Sequence, residues 1–161
     1  MIAVTALCAW SMWQPLRSDR ESDRALTLSA DGKTVEAREA ARKAHDYDPL
    51  SPRPYVVLNA VEDAAGNRPA ALKALQDAVI EFPADPQTWI QLAQYQLNSR
   101  SEAADALRTV KGALYLDPQS RAAQTVYFQA NAALNGAPAP AAAPAPGVPT
   151  APAPPVTPGG P

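Results

Sequence analysis

Three prolines recur at nearly constant spacing along the middle of the chain and set the register of a sequence repeat. Pro49, Pro83 and Pro118 are 34 and 35 residues apart. Alanine stands five and twelve positions before each proline, and the residue eight positions before each proline is apolar. These residues are Ala37, Ala41, Ala44, Ala71, Leu75, Ala78, Ala106, Val110 and Ala113. A period of this length is typical of proteins built from stacked copies of one structural unit.

The residues between the prolines predict two helices in each unit. Ser51 and Asp85 are suited to the N-cap, and each precedes a proline at the first helical position, where the absent N–H removes no hydrogen bond. Gly32 and Gly66 suit the bend between the two helices of a pair. The sequence therefore predicts an all-α fold without a sheet, with helices over residues 18–30, 33–47, 52–65, 68–82, 86–98, 102–116 and 119–135.

The third unit carries the clearest motif. Its residues Trp89-x-x-Leu92-Ala93, followed by Ala106, Val110, Ala113 and Pro118, resemble the tetratricopeptide (TPR) pattern of aromatic, Leu and small residue, then Ala, an apolar residue, Ala and Pro. The resemblance implies a solenoid of about three antiparallel helix pairs over residues 18–136, closed by a capping helix at 119–135.

Three positions depart from the family pattern. Asn59 stands where the family has a small residue, after the Tyr55-x-x-Leu58 motif of the second unit. Gln96 stands where an aromatic residue is usual, and the third unit has one extra residue near 98–101.

The two ends of the chain differ from the repeats in composition. All 30 charged residues lie between Arg17 and Arg121. Residues 137–161 are uncharged, with 10 Pro, 8 Ala and 3 Gly among 25 positions. Such a low-complexity segment buries too little apolar area to offset its ordering entropy. We expect a disordered tail with polyproline II bias, acting as a spacer or as a ligand for an aromatic groove.

The charge and the residue inventory argue against several classes of function. A formal net charge of −2 provides no basic surface for nucleic acid. One Cys and one His do not make a zinc ligand set. The closest carboxylate pairs, Asp46 with Asp48 and Glu62 with Asp63, are interpreted as solvated charge. We therefore predict no catalytic residue, no cofactor and no metal, and a chain that is not an enzyme.

Residues 1–17 form an apolar N-terminal segment. Its first 13 residues, uncharged and mostly apolar, span about 20 Å as a helix, less than the hydrocarbon core of about 30 Å. Trp10 and Trp13, followed by Arg17 and Arg20, are typical of the interfacial end of a membrane helix. We expect a truncated membrane helix or a membrane-associated helix, the alternative being an amphipathic or disordered start. The basic residues favour the cytoplasmic side for the repeats.

The region in which the apolar N-terminal segment meets the repeats shows a second, narrower resemblance. Residues 9–18 (AWSMWQPLRS), then 48–51 (DPLS) and 113–118 (ALYLDP), are similar to the C-terminal region of bacterial O-antigen ligase-like membrane proteins. The resemblance implies that the chain is a C-terminal fragment or accessory tail of a membrane glycan ligase or polymerase.

The TPR resemblance also indicates a binding surface, because in that family the leading helix of each pair lines a concave face. The corresponding positions are Arg53, Val56, Ala60, Asp63, Gln87, Ile90, Gln94 and Leu97. They lack the Lys, Arg and Asn set with which some members bind a peptide's C-terminal carboxylate. The apolar members Val56, Ile90 and Leu97 are the interaction candidates. The alternatives are that these three residues pack against neighbouring helices or that the Pro-rich tail covers them. Trp89, Tyr95, Tyr115, Tyr127 and Phe128 recur at helical spacing and are expected to pack in the core.

We therefore predict a non-catalytic scaffold for protein–protein interaction, tethered at a bacterial membrane, with a protein or peptide partner in the concave groove. The alternative is the ligase fragment.

Overall fold

The computed structural model describes residues 2–98 and 102–136, with side chains from residue 16 onward. Within these ranges the chain forms seven α-helices and no β-strand, which confirms the predicted all-α fold. The helices are α1 (Ile2–Ala30), α2 (Thr34–Tyr47), α3 (Arg53–Ala64), α4 (Arg68–Glu81), α5 (Pro86–Asn98), α6 (Ala103–Leu116) and α7 (Arg121–Leu134).

The helices form three successive pairs, and α7 follows the last of them. The pairs α1–α2, α3–α4 and α5–α6 pack most closely within themselves, and α7 packs on α6 and α5. Between pairs, α3 packs on both helices of the first pair, whereas α5 joins the second pair mainly through α4. The fold is therefore a TPR-like array of helix pairs, as predicted.

The repeated small residues lie at the helix–helix contacts. All six repeat alanines are 0% exposed, and the apolar residues between them, Ala41, Leu75 and Val110, are at most 2% exposed. A methyl group at these positions lets two helix backbones approach closely, and the larger side chains fill the remaining space at the density of a protein interior. The positions that the sequence repeat aligns are thus the positions that are buried between the helices.

The turns within the pairs use glycine in a left-handed conformation. Gly32 and Gly66 have φ of 75° and 74°. After them, the Lys33 N–H donates to the Leu28 carbonyl at 2.9 Å and the Asn67 N–H donates to the Glu62 carbonyl at 2.8 Å. This is the helix-ending arrangement in which the second N–H beyond the helix satisfies an otherwise unpaired carbonyl.

The third pair closes its turn with a longer loop. The Glu102 N–H donates to the Gln96 carbonyl at 2.9 Å, a separation of six residues instead of five. The extra residue of the third unit is therefore accommodated in this turn, whose residues 99–101 lie outside the described ranges.

The turns between the pairs are capped by side chains. Ser51 Oγ accepts from the Arg53 N–H at 3.3 Å, and Asp85 Oδ1 accepts from the Gln87 N–H at 2.9 Å. Ser120, in the equivalent place before α7, accepts from the Ala123 N–H at 3.4 Å. Asp85 directly precedes α5, as predicted, whereas α3 begins at Arg53 with Pro52 as its N-cap, so Ser51 lies one residue further from the helix than predicted. Each of the two side chains satisfies a backbone donor that has no partner inside its helix.

The third pair also contains a contact between an indole ring and a glycine. Trp89 Nε1 donates to the Pro83 carbonyl at 2.9 Å, which fixes the ring. The ring lies on Gly112 of α6, where an added Cβ would be 2.6 Å from the ring carbon Cε3. Glycine at this position lets the Trp89 ring lie against the α6 backbone.

A partly buried ion pair joins the first and second pairs of helices. Arg38 of α2 binds Glu62 of α3 through two hydrogen bonds, Nε to Oε1 at 2.5 Å and Nη2 to Oε2 at 2.7 Å. Glu62 is 6% exposed and also accepts from Asn67 Nδ2 at 3.0 Å. The interpretation of Glu62 as solvated charge was therefore wrong. The hydrogen bonds from Arg38 hold the pKa of the Glu62 carboxyl below its usual value, against the opposing effect of burial.

The N-terminal helix continues through the predicted boundary at residue 17, because α1 is described as one helix from Ile2 to Ala30. Within the described ranges, none of the helices combines the length and apolar character that crossing a bilayer requires. The prediction of a disordered tail concerns residues 137–161, which lie outside the described residues.

We expect Gly112→Ala to destabilise the protein, although this change usually stabilises a helix by about 0.5 to 1 kcal/mol. The added methyl collides with the Trp89 ring, and overpacking of this kind costs about 1 to 3 kcal/mol. Urea denaturation measures the free energy of unfolding. In a Trp89→Leu background, where the large ring is absent, Gly112→Ala should leave the free energy of unfolding unchanged or increase it. If Gly112→Ala alone raises the melting temperature, the Trp89 ring does not lie on Gly112 as described.

We also expect the Arg38–Glu62 pair to make stability depend on pH. The folded-state pKa of Glu62 lies below its unfolded value of about 4.3, so the pair's contribution is fully present above that value. It is lost as pH falls through the folded-state pKa. Between about pH 5 and pH 3, the free energy of unfolding should fall more steeply for the wild type than for Glu62→Gln.

At pH 7, Glu62→Gln should be less stable than the wild type by about 1 to 3 kcal/mol. Glu39→Gln is the matched control, because Glu39 is 67% exposed and pairs with Lys43 at 3.6 Å. Its pH dependence should follow the wild type. Equal slopes for Glu62→Gln and the wild type would show that the pair does not carry this acid sensitivity.

Candidate functional site

The eight predicted groove residues lie on α3 and α5 and differ in exposure. Arg53, Ala60, Gln87 and Gln94 are exposed, whereas Val56, Asp63 and Leu97 are partly buried. Ile90 is 2% exposed and packs with residues of α5, α6 and α7, including Val110 and Val126. The Ile90 side chain is therefore part of the core, because α7 stacks on α5 at this point.

A shallow depression of about 260 Å³ lies between α3 and α5. Its lining residues are Val56 and Asn59 of α3, Leu75 of α4, and Gln91, Gln94, Tyr95 and Asn98 of α5. Leu75 and Tyr95 are 2% and 8% exposed and form its floor. Two predicted residues, Val56 and Gln94, thus lie in one concavity. The depression forms where α3 and α5 pack less closely than α1 and α3.

The remaining lining residues were not predicted to be part of the binding surface. Asn59 was the one with a sequence signal, because it replaces the small residue of the repeat pattern. Its side chain reaches α4, where Nδ2 donates to the Ala71 carbonyl at 3.0 Å. Gln91, Tyr95 and Asn98 line the depression because of the distance between two helices, which the repeat register does not specify.

The depression is rich in carboxamides. Four of its seven lining side chains are Asn or Gln, and none is Asp, Glu, His, Lys or Arg. A carboxamide both donates and accepts, as a peptide backbone does. Val56, Leu75 and Tyr95 add apolar surface beside these groups. The site can therefore form hydrogen bonds to a polypeptide and bury small apolar side chains, and its lining contains no acid–base pair.

Two charged groove residues are engaged within the protein. Arg53 pairs with Asp19 at 3.1 Å and with Asp23 at 2.9 Å, which links the start of α3 to α1. Asp63 Oδ1 accepts from the Tyr95 hydroxyl at 2.8 Å, which links α3 to α5 at the rim of the depression. These interactions position the two helices that border the site.

A second concavity, of about 270 Å³, lies between α2 and α3. It is lined by Ala41, Arg42, His45, Asp46, Pro54, Tyr55 and Leu58. The His45 ring meets the Tyr55 ring edge to face at 5.2 Å. Burial and the hydrogen bond to Glu81 raise the pKa of Tyr55 to about 12, so its hydroxyl stays protonated at neutral pH. His45 is thus in an aromatic contact, a setting that its position near the end of α2 did not reveal.

The aromatic residues divide between the core and the surface. Trp89, Tyr95 and Tyr127 pack against the core clusters. Tyr115 and Phe128 are 87% and 61% exposed, so the prediction that they pack in the core was wrong. Helical spacing showed the face on which each residue lies, but not whether another helix covers that face.

No group of His, Cys, Asp and Glu side chains with metal-binding geometry occurs among the described residues.

Comparison with known proteins supports the fold. No protein-family model matches the chain, and no curated protein matches its sequence. Among solved structures, it is similar to the type III secretion chaperone SycD of Yersinia enterocolitica, crystallised in complex with a peptide of the translocator YopD. The two chains are 17% identical with a TM-score of 0.53, over 73% of this chain and 89% of that chain. With the repeat register and the turn geometry, this likeness shows that the chain has a TPR-like helical-repeat fold.

Proposed function

We propose that this protein is a non-catalytic scaffold that binds an extended segment of a partner protein in the depression between α3 and α5. The observation that carries the proposal is the lining itself, four carboxamides beside Val56, Leu75 and Tyr95. Backbone N–H and C=O groups of an extended peptide are the natural partners of such amides.

The chemistry of the lining favours an extended segment over a helix. A helix satisfies its own backbone N–H and C=O groups internally, whereas an extended segment leaves them available to the four carboxamides of the depression. The absence of Lys and Arg from the lining favours a segment with few acidic residues. Small apolar side chains of that segment would contact Val56 and Leu75.

The structural neighbour supports the same class of function. SycD was crystallised with a peptide of another protein, and this chain shares its type of fold. The proposal that the scaffold has no catalytic activity is supported by two of the four carboxylates singled out from the sequence, because Glu62 and Asp63 are bound by Arg38 and Tyr95.

The proposed site overlaps only in part with the groove predicted by sequence. Val56 and Gln94 remain central, and Arg53, Ala60, Asp63, Gln87 and Leu97 would border the bound segment. Ile90 is left out because its side chain is buried.

We expect Gln94→Arg to weaken peptide binding. Short random peptides displayed on phage would be selected on the full chain, and the affinities of enriched peptides measured by calorimetry. Arg introduces an unpaired cation and removes a carboxamide from the depression, so affinity should fall about tenfold or more, which corresponds to at least about 1.4 kcal/mol.

Ile80→Arg is the matched control, because Ile80 is 76% exposed on α4 and does not line the depression. It should bind the selected peptides as the wild type does, and both variants should keep the wild-type melting temperature. If the selected peptides bind the wild type and Gln94→Arg with equal affinity, the binding surface is not the depression between α3 and α5.

Membrane association remains a proposal from sequence, resting on the apolar residues 1–13, Trp10 and Trp13. It predicts that the full chain sediments with lipid vesicles while a chain starting at Ser18 stays in the supernatant, provided both have the same helical content. Equal sedimentation of the two would refute the tether. The cytoplasmic side and the ligase-fragment alternative likewise rest on sequence alone, and the comparisons lend them no support.

A further inference from the structure

The second concavity lies where the first helix pair meets α3, and the repeat aligns its residues with those of the next such interface, between α4 and α5. Counted from the repeat prolines, Ala41 corresponds to Leu75 of α4 and to Val110 of α6. His45 corresponds to Val79 of α4. The first interface therefore has a methyl group and a polar ring where the next interface has two aliphatic side chains.

The aliphatic side chains fill the interface between α4 and α5. Leu75 and Val79 are 2% and 9% exposed and belong to one core cluster with Leu92 of α5. Leu58 of α3, which corresponds to Leu92, is only partly buried and lines the second concavity. The second concavity is thus the space that a side chain larger than that of Ala41 would fill.

The walls of the second concavity are held in place by contacts on their outer side. The Tyr55 hydroxyl donates to Glu81, and the Tyr55 ring meets the rings of His45 at 5.2 Å and Phe82 at 6.3 Å. Pro54, at the start of α3, is fully buried. These contacts fix the Tyr55 ring as one wall, so the half-open space is available to a side chain from outside.

The second concavity is separate from the depression between α3 and α5. The two share no lining residue. On α3, Tyr55 and Leu58 line the second concavity, whereas Val56 and Asn59 line the depression. Successive helix residues point about 100° apart, so these two sets lie on different faces of α3. A ligand in one site leaves the other site accessible.

The opening of the second concavity carries an arginine that is available to a ligand. Arg42 is exposed, and among the residues that the structure describes it forms no hydrogen bond and no ion pair. Arg38, one turn earlier on α2, is by contrast bound to Glu62. A guanidinium can bind a carboxylate through two parallel hydrogen bonds. Asp46, exposed one turn after Arg42, disfavours a second anionic group beside the first.

We propose that the second concavity binds a leucine-sized aliphatic side chain of another protein, and that Arg42 pairs with a carboxylate next to that side chain. The bound side chain would supply to this interface the packing that Leu75 supplies between α4 and α5. The cation at the opening would select a partner segment with one acidic residue beside its aliphatic residue. This site is additional to the depression in which an extended segment is proposed to bind.

The test is a nuclear magnetic resonance titration of the full chain with N-acetyl-leucine, which carries a carboxylate beside a leucine side chain. The Tyr55 ring and Leu58 methyl resonances of the wild type should move. N-acetyl-leucine amide, which lacks the carboxylate, should bind about threefold more weakly, as expected for the loss of one exposed ion pair. Arg42→Gln should remove this difference between the two probes.

Filling the concavity tests the packing part of the proposal. Ala41→Leu should weaken the binding of both probes about tenfold or more and raise the melting temperature, because a leucine in the cavity replaces the bound side chain. Ala122→Leu is the matched control, the same substitution at an exposed position of α7, and should leave binding unchanged. Leu58→Phe fills the concavity from α3 and should also weaken binding, which keeps the test valid if Ala41→Leu does not fold.

Three results would overturn the proposal. The first is that Tyr55 and Leu58 resonances of the wild type do not move on titration. The second is that the folded cavity-filling variants bind N-acetyl-leucine as tightly as the wild type does. The third is concentration-dependent dimerisation that Ala41→Leu abolishes, because the concavity would then bind a second copy of this chain. Equal binding of N-acetyl-leucine by the wild type and Arg42→Gln would refute the pairing of Arg42 with a carboxylate.

Discussion

The contact of helices through fully buried alanines is the constraint on which the rest of the structure depends. All six repeat alanines are 0% exposed, and their small size sets the distance between paired helix axes. The close approach of α5 and α6 brings Trp89 onto Gly112. Alanines of α2 also pack against α3, beside Val57 and Val61, and this contact brings Arg38 within reach of Glu62. The inter-helix polar contacts are thus consequences of a close approach that apolar residues determine.

The candidate site arises where the chain departs from its repeat. Asn59 replaces the small residue of the pattern, and it borders the depression between α3 and α5. Gln96 replaces an aromatic residue, and it is buried through a hydrogen bond to Thr109. Phe128 replaces Ala93 in register and is exposed. Residues that follow the repeat pattern stabilise the helix array, whereas residues that depart from the pattern make the surface of one pair different from that of the next.

The sequence was informative about periodic features and less so about distances between elements. Proline and alanine spacing predicted the helices and the buried register, and the residues before Pro86 predicted the cap Asp85, because these features depend on contacts within a unit. The burial of Ile90 and the exposure of Tyr115 and Phe128 depend on which helix stacks on which face. The Arg38–Glu62 and Arg53–Asp19 pairs join residues 24 and 34 positions apart, so no local pattern reveals them.

The sparse packing between α3 and α5 has a mechanical consequence. In a repeat array each unit is held by its neighbours, so the free energy of opening is lowest at the interface with the fewest contacts. Here that interface joins the second and third pairs, through the α4–α5 contact and the Tyr95–Asp63 hydrogen bond. The depression lies across this joint. A segment bound to both α3 and α5 would act as a clamp, making the two halves of the array unfold as one cooperative unit.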